Sequence, residues 1–323
     1  MTRFLDQRWA GPALMAAWLA LLLIAPLVLT GSYPRHLLIA SLIYAVVAAN
    51  WDISLGFGGL FNFAHLAFFG IGLYVSAILS KLLGLDPWLA ILLGGAVATA
   101  AAALVSLPIV RLRGIYVVLV TFAFGQLVQQ LVLSQADVTG GSQGMVMVPP
   151  LRIGSYNFAR DGKLAYCYAA IALFALSVLL LRSLVRSPLG IAIQAVRDDE
   201  DYAAARGISA ARTHFLAIVT SAPLTGIAGG FLGAYSRVAS TDVFGFGTLS
   251  LVLSMVLLGG AGTLYGPLAA AFVLTFVSEA LVGLGIWRFL IISAGMVLVL
   301  IVFPGGLASM FKSPRRAAPA EPS

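Results

Sequence analysis

The sequence predicts an all-α, polytopic membrane protein of about 10 transmembrane helices, with broken or re-entrant glycine-rich segments and both termini cytoplasmic. Three observations carry this. Hydrophobic residues make up 61% of the 323 residues and charged residues only 10%, and the mean hydropathy is +1.02, far from the usage of a water-soluble domain. Apolar runs close to the roughly 20 residues that a spanning helix needs recur from end to end. The basic residues stand singly at the ends of these runs, so the net charge of +7 reads as topology signalling and not as nucleic-acid binding.

The N-terminus, MTRFLDQRWAGPALMAAWLALLLIAPLVLT, places basic residues before a long apolar run, as a signal peptide does. No clear small-residue cleavage site follows, so it is read as a first span at about 12–30. Further spans are expected at 36–55, 57–80, 88–109, 115–134, 164–184, 213–236, 247–262, 264–284 and 286–304. The pieces beginning at Phe57 and Thr248 are rich in glycine and polar residues, and are expected to be broken or re-entrant helices inside the protein. A cytoplasmic N-terminus puts most Lys and Arg inside, from Arg3 and Arg8 through Arg111, Arg113 and the 186–213 stretch to Lys312, Arg315 and Arg316. Trp9, Trp88 and Trp287 fall near predicted span ends, where interfacial indoles belong. Residues 1–311 are expected to form a single transmembrane domain, with a polar, proline-rich and disordered cytoplasmic tail at 312–323.

Two glycine patterns add packing expectations. Gly226, Gly229, Gly230 and Gly233 contain two GxxxG pairs, and Gly262 with Gly266 forms another. Gly56-Phe57-Gly58 and Gly245-Phe246-Gly247 are each followed by a glycine fourteen residues after the first, at Gly70 and Gly259, an echo that a repeated broken-helix unit or chance would produce. The loop at 135–163 is expected on the periplasmic side. Its Thr139-Gly140-Gly141-Ser142 turn and the following proline segment offer either a landing place for a partner or a mere connection.

The longest polar interruption is Arg186 to Thr213, RSPLGIAIQAVRDDEDYAAARGISAART. Ser187 is placed to cap a helix that begins at Pro188, and Gly207 is placed to end it. Gln194, Arg197, Asp198 and Asp201 then share one face, and Ile193, Val196 and Ala203 another. Asp198, Asp199, Glu200 and Asp201 supply a third of the twelve carboxylates. The stretch reads as a docking element for a cytosolic partner, or as a solvated cytoplasmic loop.

Enzyme chemistry is poorly supported, and no catalytic, metal or cofactor site is expected. There is no GxxxxGK[ST] phosphate loop and no GxSxG elbow. His36, His65 and His214 are far apart, and Cys167 is a single thiol inside an apolar run. Polar side chains within the spans carry more information, because each is expensive in hydrocarbon. Asn50, Asp52, Asn62 and His65 surround the glycine break at 56–59, Gln126, Gln129 and Gln130 follow in the fifth span, and Glu279 stands late in the ninth. Asn50, Asp52, Asn62, His65 and Gln126 are the candidates for a neutral translocation path; interhelical hydrogen bonding is the competing role for each. An ion-coupled carrier or a channel acting alone would instead depend on Asp52 or Glu279.

Four blocks carry a resemblance: IYAVVAANWDISLGFGGLFNFAHLAFFGIGLY, RLRGIYVVLVTFAFGQ with ADVTGGSQG, QAVRDDEDYAAARGIS and MVLLGGAGTLYGP. In this order they resemble the permease subunits of bacterial branched-chain amino-acid ABC importers, most closely the M-type, LivM-like subunit, over about residues 40–304. The resemblance implies a multi-pass protein of the inner membrane that works with a second, H-type or similar permease, two cytosolic ABC ATPase subunits and a periplasmic substrate-binding protein. Its solute is leucine, isoleucine, valine or a related small molecule. It also implies that Pro188 to Ile208 is the element coupling transport to the ATPase, with Arg197, Asp198, Asp199, Glu200 and Asp201 in the acidic stretch and Ala203, Ala204 and Gly207 as small contact positions. Asp52, Asn62 and Ala64 depart from the M-type pattern, which usually has Asn, Ser and Gly there, and NFAH at 62–65 is nearer the H-type. These departures fall in the expected path, so urea, short amides and other amino acids stay open as solutes.

Overall fold

The computed structural model describes residues 20–29, 31–154, 156–159, 163–285 and 287–302. The start of the first expected span and the tail lie outside them. Helices account for nearly all regular structure: α1 at 20–28, then α2 Ser32–Asp52, α3 His65–Lys81, α4 Pro87–Ile109, α5 Ile115–Ser134, the short α6 Ala136–Thr139, α7 Leu164–Arg186, α8 Pro188–Asp198, α9 Glu200–Ala205, α10 Ala210–Ser236, α11 Phe246–Gly259, α12 Gly266–Ala280 and α13 Trp287–Val302. Among the described residues, five helical stretches are long and apolar enough to cross a bilayer, namely Ser32–Phe57, Pro87–Ile109, Ile115–Ser134, Leu164–Arg186 and Ala210–Ser236; α3, α11, α12 and α13 are shorter apolar helices. The protein is therefore an all-α polytopic membrane protein.

The first expected break exists, with shifted boundaries, whereas the piece beginning at Thr248 lies in one unbroken helix, α11, and the chain breaks after it. α2 does not stop at Asp52 but passes into a π-helical turn, Ile53–Phe57, and the chain then runs irregularly until α3 starts at His65, eight residues later than the sequence pattern suggested. The second break separates α11 from α12. Gly260 and Gly262 take positive φ there, 100° and 75°, a region that glycine enters without steric cost. Gly262 and Gly266 accordingly do not form a helical GxxxG pair. The close contact is instead between Gly259 and Gly266, where a Cβ on Gly266 would lie 2.1 Å from the Gly259 carbonyl oxygen. The echo between 56–58 and 245–247 also fails as a structural repeat, because the first closes a helix and the second opens one.

In lipid the driving force from water is missing, so close packing and hydrogen bonds must hold helices together. Two arrangements do so here. α2 lies buried along almost its whole length between α7, α10, α11 and α12, in a large apolar cluster around Ile39, Leu42, Ile43, Val47 and Trp51. α3, α4 and α10 form a trio in backbone contact. A Cβ at Gly72 would sit 2.0 Å from the Gly226 carbonyl oxygen, one at Gly229 1.9 Å from that of Phe69, and one at Gly94 2.8 Å from that of Gly72. The small-residue face expected on α10 is thus occupied by α3 and α4. α5 is the least covered of the five long helices, with Tyr116, Leu119, Phe122, Leu127 and Leu131 open.

The two ends of the molecule differ. At one end lie α8, α9, the turn between α4 and α5, and both helix breaks. At the other, β1 (Met145–Val146) pairs antiparallel with β4 (Val238–Ala239), and β2 (Arg152–Ile153) with β3 (Tyr156–Asn157). Lys81 Nζ donates to the Val146 carbonyl at 2.7 Å and Trp88 Nε1 to that of Arg152 at 2.9 Å, so the 135–163 segment is tied to the ends of α3 and α4.

Candidate functional site

The polar stretch forms two helices where the sequence suggested one. Ser187 caps α8 as expected, its Oγ accepting from the Gly190 amide at 3.3 Å, with Pro188 in the first turn. The helix stops because Asp199 turns extended (φ −161°, ψ 107°) and its carboxylate accepts from the Tyr202 amide at 2.9 Å, starting α9. A carboxylate in this position satisfies an otherwise open amide. Glu200 and Asp201 follow in the first turn of α9, where the helix dipole favours negative charge. Gly207, with φ 81°, ends the pair, and the Ile208 amide returns to the Ala203 carbonyl at 3.0 Å.

The acidic row is thereby divided among separate tasks. Asp198 holds Arg197 Nε and Nη2 at 2.9 and 2.7 Å. Asp199 is the cap, Glu200 pairs with Arg113 at 2.9 Å on the surface, and Asp201 is exposed. Asp201 lies beyond the break and does not continue the α8 face of Gln194, Arg197 and Asp198. Ile193, Val196 and Ala203 are all buried, so the apolar face survives the break. Ala203 is consequently turned inward and is not an open contact position, whereas Ala204 and Gly207 are exposed. The structure adds two outward apolar side chains that the sequence reading did not single out, Ile191 at 63% and Tyr202 at 60% exposure. Arg206 stacks over the Tyr202 ring at 5.2 Å and donates to its hydroxyl at 2.7 Å.

From the outer surface of α8 the Arg197 side chain turns toward the protein. Its Nη1 donates to the Gly56 carbonyl at 3.1 Å, inside the π-helical turn. Asp52, on the last turn of α2, is buried, and its Oδ1 accepts from the Gly262 amide at 2.9 Å. The two helix breaks and α8 therefore meet.

Four of the five polar residues expected in a path are buried in the chain's own interior. Asn50 Nδ2 donates to the Val46 carbonyl at 2.8 Å and to Ser177 Oγ of α7 at 3.0 Å. Asn62 accepts twice: its carbonyl takes the Trp51 indole N–H at 2.6 Å and its Oδ1 the Ala64 amide at 2.8 Å. His65 Nε2 shares a hydrogen bond with Ser221 Oγ of α10 at 2.9 Å, and its ring stacks on Trp51 at 5.9 Å. Asn50, Asp52, Asn62 and His65 are all buried. The structure brings Asn62, His65 and Trp51 together and sends Asn50 toward α7. Gln126 alone is open; it lines a small pocket with Phe63, Leu66, Ala67, Phe122 and Leu249, between α3, α5 and α11. Among the described residues no three His, Cys, Asp or Glu side chains gather as metal ligands.

A family model described as the branched-chain amino acid transport system / permease component matches residues 33–303. The chain belongs to this permease family. It is 31% identical over 291 residues to the high-affinity branched-chain amino acid transport system permease protein LivM of Escherichia coli strain K12, spanning 84% of this chain and 68% of that protein. LivM of Salmonella typhimurium is 30% identical over the same shares. The permease is also 28% identical over 284 residues to LivH of Escherichia coli, covering 82% of this chain and 90% of the relative. No solved structure gives a significant match. The permease is a multi-pass protein of the bacterial inner membrane.

Three supports of the permease's interior went unnoticed in the sequence: Trp51, Ser177 and Ser221. Thr121 of α5 is a fourth, accepting from the Phe63 amide at 3.0 Å. Polar or aromatic character inside an apolar run was the available signal, but their partners lie 11 to 156 residues away.

Proposed function

We propose that this permease is one of two membrane subunits of an ATP-driven importer for branched-chain amino acids or a related small solute. A second, LivH-like permease faces it, two cytosolic ATPase subunits supply the energy, and a periplasmic binding protein delivers the solute. Residues 1–311 act as one transmembrane unit of about ten spans, with both termini and α8–α9 in the cytosol and 135–163 in the periplasm. The observation that carries the reading is the α8–α9 pair: a doubly capped element, buried on one face, that presents Ile191, Tyr202, Ala204 and Gly207 outward at the end of the molecule where the helix breaks converge. Its exposed apolar side chains, rimmed by charge, suit a protein groove better than water.

Nothing in the permease needs to hydrolyse ATP; that activity belongs to partner chains. ATP-bound and ATP-free partners that grip α8–α9 differently would shift the permease between its two access states. The test is co-expression with the partner subunits, purification and reconstitution, followed by ATP-dependent uptake of radiolabelled leucine. Asp201→Lys, Tyr202→Ala and Gly207→Trp are expected to lower ATPase co-purification and binding-protein-stimulated hydrolysis at least tenfold. Unchanged hydrolysis and uptake in all three would refute the docking assignment. Uptake by the permease alone along an ion gradient would refute the ATP-driven reading itself.

A further inference from the structure

Arg197 and Asp52 were expected to face a partner ATPase and a solute, respectively. Their geometry points elsewhere. Arg197 leaves the exposed side of α8 and lays its stem over Gly59, where a Cβ would come within 2.7 Å of its Cγ. Its guanidinium passes Gly262, where a Cβ would come within 3.0 Å of Nη1, and reaches the Gly56 carbonyl. Asp52 bridges from α2 to the Gly262 amide. Gly56 lies between them: a Cβ there would fall 1.9 Å from Asp52 Oδ1 and 2.0 Å from the Gly262 nitrogen. Three glycines thus leave room for one arginine and one carboxylate, and Gly59 and Gly262 do so with positive φ of 65° and 75°.

We propose that Arg197 and Asp52 are positioning residues that fasten the cytosolic helix α8 to both broken helices, so that a displacement of α8 moves the π-helical turn after α2 and the loop after α11 together. The proposal rests on the coupling role given to α8–α9 above. Its physical basis is directional. Ile193 and Val196 hold α8 by apolar contact, which tolerates sliding, whereas the Arg197 and Asp52 bonds involve charged or strongly polar groups on backbone atoms and fix position. Asp198 holds the same guanidinium from the water side, with two short bonds, which favours the inward-reaching arrangement of Arg197 on α8. Packed interiors transmit such displacements because they are nearly incompressible. Both breaks are where the backbone is not held by regular helical hydrogen bonds, and so where movement is least costly.

The test uses the reconstituted complex with radiolabelled leucine and leucine-loaded binding protein. In Arg197→Ala the ATPase subunits still co-purify and the half-saturating leucine concentration is unchanged. Maximal uptake and stimulated hydrolysis fall at least tenfold. Arg197→Lys, which keeps one charged donor, restores part of both. Asp52→Leu behaves like Arg197→Ala, while Asp52→Asn, whose amide oxygen still accepts from Gly262, stays within threefold of the parent protein. Loss of ATPase co-purification in Arg197→Ala would make Arg197 a docking contact and overturn the proposal, as would Asp52→Asn failing as badly as Asp52→Leu, or full coupling in Arg197→Ala. A second readout needs no transport. Amide hydrogen exchange over 53–58 and 259–263 in the permease rises at least tenfold in Arg197→Ala and in Asp52→Leu; unchanged exchange in both overturns the joint even if the importer reading fails.

Discussion

Alanine at Gly72 is the sharpest probe of how this permease is held together. Its Cβ would meet the Gly226 carbonyl oxygen at 2.0 Å and the Gly226 Cα at 2.5 Å, while the Gly72 carbonyl oxygen lies close to Gly94 on α4, 2.8 Å from where a Cβ on that residue would be. Ordinary contact would require α3 and α10 to part by more than an ångström, and α4 blocks retreat on the other side. Overpacking of a core costs about 1–3 kcal/mol; with backbone as the obstacle the upper end applies, about 3 kcal/mol. Alanine in a helix recovers about 1 kcal/mol over glycine, leaving a net loss of about 2 kcal/mol. At about 2–4 °C per kcal/mol for a domain of a few hundred residues, the midpoint falls by about 4–8 °C. The control is Gly125→Ala on α5, where a Cβ meets nothing within 4 Å; it leaves the midpoint level or slightly raised. Monodisperse protein remaining after graded heating in detergent, at one fixed heating time, measures both. Equal midpoints for the two variants would refute the argument that backbone contact, and not glycine content, holds the trio.

Two further outcomes follow from hydrogen bonds. Trp51→Phe keeps the ring stack with His65 but removes the 2.6 Å bond to the Asn62 carbonyl; it costs about 1 kcal/mol and shows as faster amide exchange over 59–64, with α2 itself unchanged. Asp199→Ala removes the cap of α9 at a cost of about 1 kcal/mol and speeds exchange at 200–206, whereas Asp199→Asn, which still accepts from the Tyr202 amide, leaves exchange near that of the parent protein.

The helical architecture was legible because apolar runs, Ser187-Pro188 and Gly207 are local signals. The break within 188–207 was not. Asp199 sits in a run of residues that all tolerate a helix, and only its extended backbone shows it as a cap. The packing face of α10 was readable from Gly226 and Gly229, but its partners Gly72 and Phe69 were not. The candidate path was the least legible part. Polar side chains in apolar runs were visible, but whether each faces a pore or a neighbouring helix depends on atoms 127 residues away for Asn50, 156 for His65 and 210 for Asp52. Arg197 shows the same limit: its charge suggested an outer surface, and its position suggested a helix face, yet its donor reaches a carbonyl 141 residues earlier.

The open side of α5 bears on how the cell treats this chain before it finds its neighbours. Gln126 and Gln130 are exposed and Gln129 partly so, and amides left uncovered within an apolar helix are costly in hydrocarbon. Left uncovered, they would mark a newly inserted chain as unfinished, a mark that membrane quality control can read. On the importer reading proposed above, a second permease lying against α5 would shield these amides, and the abundance of this chain would then follow that of its partner.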